Sequence, residues 1–113
     1  MVIFLACMNK QIEHILSEYR DALMNIYGPR IEKVLLFGSY ARGDADSGSD
    51  IDVLVILRGD VVPSKEIART GKISSSLSLK NDCVISTVFI SSDRYPDEKS
   101  PLIMNVHREG ISL

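Results

Sequence analysis

The sequence predicts a single small α/β domain, a mixed sheet of three to four strands with flanking helices, and three observations lead there. Apolar residues recur at helical spacing near the start of the chain. Short β-rich apolar runs follow, and the two patterns then alternate as helix, strand, loop, strand, helix, strand, helix. A chain of 113 residues has room for one core, so a separate substrate-binding domain is not expected.

Within residues 9–27, Ile12, Ile15, Leu16, Tyr19, Ala22, Leu23 and Ile26 lie three and four apart, which makes one apolar helix face. Asn9 is the expected cap and Gly28-Pro29 the stop. IEKVLLF, residues 31–37, is a β-rich run between Pro29 and Gly38. IDVLVIL, residues 51–57, has almost no polar residue inside, which implies a strand covered on both faces. Pro63-Ser64 opens a weaker helical stretch to about Leu79, with Ile67, Ile73 and Leu77 as expected core contacts, against which Gly71 and a serine run weigh. DCVISTVFI, residues 82–90, reads as a third strand. After the breaker SSDRYPDEKSP, residues 101–109 make a last helix closed by Gly110. The domain is therefore placed at residues 9–113, with 1–8 as an N-terminal extension and Met8 as a second candidate start.

The composition is ordinary for a globular protein, and a net charge of -2 supplies no electrostatic reason to expect duplex DNA or an anionic membrane as partner. Nucleic acid is thereby not favoured. The opening MVIFLAC lacks a basic flank and ends at charged NKQIEH, so it predicts neither a signal peptide nor a membrane span. Cys7 and Cys83 match no metal-ligand spacing and are too few for a disulfide framework, which points to reduced thiols and a cytoplasmic protein.

The chemistry concentrates in FGSYARGDADSGSDIDVLV, residues 37–55. Strand side chains alternate, so Asp50 and Asp52 project from one face, roughly 6 to 7 Å apart along the chain. Two hard oxygen donors suit Mg²⁺ or Mn²⁺, although acids after a turn also stand alone in solvent. Gly38 ends a strand where a missing Cβ lets phosphate approach the backbone, and Ser39 offers an N–H and a hydroxyl. The same glycine would also serve a plain strand-to-turn junction. A helical turn over 39–42 would aim free amides at the same anion, and Arg42 could pair with phosphate, Asp44 or Asp46. The two strand ends meet if the strands are antiparallel neighbours.

GSYARGDADSGSDID has a Gly-Ser pair, ten intervening residues from Tyr40 to Ser49, then Asp50-x-Asp52. It resembles the signature of the minimal nucleotidyltransferases of the DNA polymerase β-like superfamily, and the order of elements is similar over roughly residues 11–90. The resemblance implies that superfamily's fold and an activity: a nucleoside triphosphate, ATP foremost, is bound with Mg²⁺ and its nucleoside monophosphate passes to a hydroxyl, releasing pyrophosphate. By position, Gly38 and Ser39 would hold the triphosphate, with Arg42 beside them as a further candidate phosphate ligand, and Asp50 and Asp52 would be the catalytic metal ligands. Such proteins are often encoded beside small helical HEPN proteins, and some act as antitoxins by adenylylating that partner.

The family usually supplies a third carboxylate from within the next strand. This chain has VISTV there, and Ser86 takes the matching place as a weak ligand and a poor base. Asp82 lies four residues earlier, roughly 13 Å away along an extended strand, and reads as a turn residue. Losing a positioned base costs about 10²- to 10⁴-fold in rate. A second reading is therefore a binding module that keeps the fold and contacts its partner without transfer; a third is a nucleotide sensor. Asp93, Asp97 and His107 read as surface residues. Apolar faces on the terminal helices would either support a homo-oligomer or complete the core.

Overall fold

The structure is a computed structural model that describes residues 10–46 and 48–113. The expected cap Asn9, the extension at 1–8 and Cys7 lie outside the described residues. Helix α1 (Lys10–Tyr27) leads through a 3₁₀ turn at Gly28–Arg30 into strand β1 (Ile31–Phe37). A single helical turn α2 (Ser39–Arg42) and the signature loop precede β2 (Ile51–Leu57). Helix α3 (Pro63–Asn81), strand β3 (Ile85–Ser91), helix α4 (Pro101–Glu109) and a two-residue strand β4 (Ile111–Ser112) complete the fold.

The sheet is mixed, in the order β3-β2-β1-β4. β2 runs antiparallel to β1 and parallel to β3, so it is central and lacks a free edge. That position explains its composition: Ile51, Val53, Val55 and Leu57 join the core under α1 and α3, while Leu54 and Ile56 join a second core under α4. Fully burying such a side chain contributes about 1.5–3 kcal/mol. The apolar face of α1 is committed inward through Ile12, Ile15, Leu16, Tyr19 and Leu23, and α4 buries Ile103 and Val106. Among the described residues, then, the terminal helices complete the core with the faces that would otherwise have offered a dimer contact. No described helix is long and apolar enough to cross a membrane.

Three details depart from the sequence expectation. Ile67 is exposed at 54%, and the inward positions of α3 are instead Glu66, Thr70, Ile73 and Leu77. Glu66 can turn inward because the Tyr27 hydroxyl donates to its Oε1 at 2.7 Å, a partner that removes much of the cost of burying the carboxylate. The third strand starts at Ile85 rather than 82, because α3 continues to Asn81 and Asp82 closes it in the left-handed conformation, φ 51°. Strand β4 was not anticipated; it pairs Ile111 and Ser112 with Leu36 and Leu35.

Candidate active site

The signature spans the turn between β1 and β2. Gly38 has φ 79° and ψ −156°, a conformation that L residues with a Cβ avoid, and its carbonyl accepts from the Ala41 and Arg42 amides to form α2. Gly43 closes the turn at φ 84° and donates to the Ser39 carbonyl at 2.9 Å. Beyond it, Asp46 organises the loop by accepting from the Gly48 amide at 2.9 Å and the Ser49 hydroxyl at 3.2 Å. Ser49 Oγ in turn accepts from the Asp46 amide at 2.9 Å. Asp46 is thus a loop residue, and Asp50 follows it at the strand mouth.

Antiparallel pairing sets Phe37 opposite Asp52, so Gly38 stands beside the Asp52 side chain. The approach is close: a Cβ built on Gly38 would overlap Asp52 Oδ2 and lie 3.2 Å from its Cγ. The sequence supplied one reason for a glycine here, access for phosphate. The structure supplies another, since the carboxylate occupies the space a side chain would fill.

Asp52 and its neighbours Leu54 and Ile56 face the α4 side of the sheet. Asp52 is half-buried and Asp50 exposed. Burial first, then the charge of Asp50, pushes the Asp52 carboxyl above the ordinary carboxylate range, with Arg42 opposing. Arg42 itself is held away from full freedom: its Nε donates to Asp44 Oδ2 at 3.2 Å and its Nη1 to Glu109 Oε1 at 3.2 Å. Of the two acidic partners expected for Arg42, Asp44 is the one used. Glu109 was not foreseen, since 67 residues separate it from Arg42 and no local pattern links them.

The parallel register places Ser86 opposite Asp52 on the same face, and Ser86 is exposed. Its face-sharing neighbours on and beside β3 are Val84 and Val88, so no carboxylate stands next to the pair from that side. Among the described residues no cluster of three metal-ligating side chains forms. Asp82 belongs to the turn before β3. Asp93 follows β3, Asp97 lies in a 3₁₀ turn, and the exposed His107 ring packs on Tyr95 with centroids 4.7 Å apart. None of these joins Asp50 and Asp52.

An antiparallel strand pair that brings the start of a Gly-Ser turn against the Asp52 carboxylate, with a parallel third strand alongside, defines a small mixed-sheet α/β domain. The chain belongs to the nucleotidyltransferase domain family, whose model matches residues 16–110. It is 40% identical over 103 residues to MJ0141 of Methanocaldococcus jannaschii, provisionally named a protein adenylyltransferase, covering 91% of this chain and 99% of that one. Its fold is similar to a chain of a toxin–antitoxin crystal structure with AMP-PNP, at TM-score 0.58 and 23% identity, covering 83% of this chain and 68% of the other. It is also similar to a chain of the complex between a tri-AMPylated Shewanella oneidensis HEPN toxin and its MNT antitoxin, at TM-score 0.51 and 19% identity, covering 87% and 70%.

Proposed function

We propose that this domain binds a nucleoside triphosphate, ATP foremost, together with Mg²⁺ or Mn²⁺, and transfers the nucleoside monophosphate to a hydroxyl of a protein partner. A HEPN-type helical protein in the cytoplasm is the partner we favour. The observation that supports the reading is the contact between Gly38 and Asp52, which puts the start of the Gly-Ser turn beside a half-buried carboxylate. The relatives named as protein adenylyltransferase and AMPylated toxin complex support the acceptor class.

The carboxylate pair fits the proposed ion. Mg²⁺ is commonly held by one or two carboxylates together with substrate phosphate oxygens, and the Asp52 carboxyl, raised first by burial and then by the charge of Asp50, is one that a bound cation would favour in its ionised form. Asp50 and Asp52 would hold it, and when bound it would supply charge neutralisation on the phosphates. Ser39, following Gly38 in the turn, donates its hydroxyl to a phosphate oxygen, and exposed Arg42 exchanges its carboxylate partners Asp44 and Glu109 for phosphate. The acceptor hydroxyl oxygen then bonds to the α-phosphorus as the α–β bridging P–O bond breaks, pyrophosphate leaves and the hydroxyl proton passes to water.

One observation favours a second reading, partner binding without transfer: β3 offers Val84 and Ser86 where a base would be useful. Calorimetry of ATP with and without Mg²⁺, on the native chain and on Asp50→Asn/Asp52→Asn, tests the site. Metal-dependent binding lost in the double variant supports it; no binding in either form overturns it. α-Labelled ATP incubated with the partner then separates transfer, which labels the partner, from contact alone.

A further inference from the structure

Strand β3 forms one rim of the sheet, and its pairing with β2 engages its even-numbered residues, so Ile85, Thr87 and Phe89 turn their main-chain groups outward. Residues 85–91, ISTVFIS, contain none of the charges or prolines that commonly guard such a rim, and the register to β2 runs without a bulge. Val84, just before the strand, is apolar and 54% exposed. At the other end of β3 a recess of about 260 Å³ opens between Val88 and Ile90 of the strand and Leu102 and Ile103 of α4. Strand alternation places Val84 on the same face as Val88 and Ile90.

These two ends are complementary to one another. A two-fold axis beside Thr87, perpendicular to the sheet, sets a second β3 antiparallel to the first. Thr87 then meets Thr87, Ile85 exchanges hydrogen bonds with Phe89, and Val84 stands opposite Ile90 at the recess of the other copy, twice over.

Helix α3 packs on β3, and its charges lean away from the rim. Arg69 lies over the Tyr27 ring of α1, Lys80 pairs with Glu18 of α1 at 3.6 Å, and Lys72 lines the groove between the two helices. The opposite flank, turned by helical spacing towards the rim, carries Ile67, Gly71, Ser74 and Ser78, all uncharged. The Ser74 hydroxyl is already used within the helix, donating to the Gly71 carbonyl at 3.2 Å. Paired strands lie about 4.8 Å apart, so helices seated over two joined β3 strands come within the roughly 8–10 Å of packed helices, an approach that small side chains permit.

We propose that a second copy of this chain docks along β3, joining the two four-stranded sheets into one and packing α3 against α3, in a concentration-dependent dimer. Dilute protomers stand apart with the rim unpaired. The glycine and serines that weaken α3 as a lone helix, and the apolar Ile67 and Val84 left in solvent, then share one use. The pairing also sets both Asp52 side chains on one face of the joined sheet, about 16 Å apart by strand spacing and rise.

Sedimentation velocity from micromolar to millimolar protein, with amide NMR spectra over the same range, tests the proposal. The expected result is a monomer–dimer transition in which the amide resonances of Ile85, Thr87 and Phe89 shift. Val84→Lys puts a charge at the recess and Gly71→Leu wedges the helices apart, and each should raise the dimer Kd by at least about tenfold. In the protomer Val84 is exposed and a Cβ on Gly71 meets nothing within 4 Å, so both variants should keep the native circular dichroism spectrum. Gly71→Leu should also melt no lower than the native chain when dilute, because leucine is the better helix former. Met24→Lys, an exposed change on α1, should leave the Kd unchanged. A chain that stays monomeric at millimolar concentration, or a dimer that both substitutions leave intact, overturns the proposal. Rim amides that shift only when a different protein is added overturn it too, in favour of that partner.

Discussion

Replacing Gly38 by alanine tests the central contact of the site. The new Cβ would overlap Asp52 Oδ2, with Cγ at 3.2 Å and the Asp52 Cβ at 3.4 Å. Two costs combine. The backbone at φ 79°, ψ −156° belongs to a region used almost only by glycine, worth about 1–3 kcal/mol of strain. Overpacking against Asp52 adds about 1–3 kcal/mol unless the carboxylate swings away. A loss of about 2–6 kcal/mol lowers Tm by about 8–24 °C at roughly 4 °C per kcal/mol, which circular dichroism reads directly. If Asp52 swings away instead, part of that loss is spared and the metal site is dispersed, so Mg²⁺-dependent ATP affinity should fall by at least about tenfold. Gly59→Ala is the control, because Gly59 also has a positive φ, 84°, but has nothing within 4 Å of an added Cβ and lies beyond the far end of β2. Its expected cost is the backbone strain alone, with ATP binding intact. The reasoning fails if Gly38→Ala melts no lower than Gly59→Ala and binds Mg²⁺-ATP as the native chain does.

Asp52→Asn should raise Tm near pH 7 in the absence of metal. The folded Asp52 carboxyl is held above its ordinary range, so its ionised form is a burden on the native state that eases when it takes up a proton. The gap between variant and native should therefore narrow as pH falls through that raised pKa; a gap that is constant with pH refutes it. Tyr27→Phe removes the donor to buried Glu66 Oε1 and should cost about 1–3 kcal/mol in urea unfolding. Because Tyr27 adjoins the far end of the sheet, Mg²⁺-ATP affinity should hold, and a parallel loss of binding would contradict the separation. Ser86→Asp places a carboxylate opposite Asp52 and should tighten Mn²⁺ binding and raise partner labelling, by up to about 10²-fold if a base is what transfer lacks. Unchanged Mn²⁺ affinity would show that position 86 does not reach the ion.

β1 and β2 were legible to the residue because each signal was local: Pro29 and Gly38 bracket the first, and an unbroken apolar run marks the second. Their antiparallel meeting, and with it the union of Gly38 and Asp52, followed from the short connection. Ile67 was misplaced because α3 carries Gly71 and four serines from 74 to 78, too little apolar content to set its phase; Tyr27, on another helix, decides it through Glu66. Asp82 was legible as a turn residue, whereas its place in a cavity wall depends on α1 and the signature loop arriving beside it. β4 has two paired residues and no pattern of its own; only its pairing with Leu35 and Leu36 makes it a strand. The sequence offered Arg42 a phosphate, Asp44 or Asp46 as partner, and only the return of α4 revealed Glu109 as a further competitor.

Strand β3 carries Ser86 to the carboxylates while having one ladder to hold it. The amide of Ile51 donates to the Val84 carbonyl at one end and that of Ser92 to the Leu57 carbonyl at the other, so the even-numbered residues of β3 turn their amides towards β2. Ile85, Thr87 and Phe89 turn theirs outward, and among the described residues no strand pairs with them. The Tyr19–Thr87 hydroxyl contact at 2.7 Å and the packing of Phe89 on Tyr27 tie that side-chain row to α1, but neither pairs its outward amides. Hydrogen exchange along one strand should therefore alternate, with Ser86, Val88 and Ile90 slow and Ile85, Thr87 and Phe89 fast. That alternation is a built-in gauge: any chain that adds itself along this rim, whether a partner's strand or an aggregate's, would erase the fast set first.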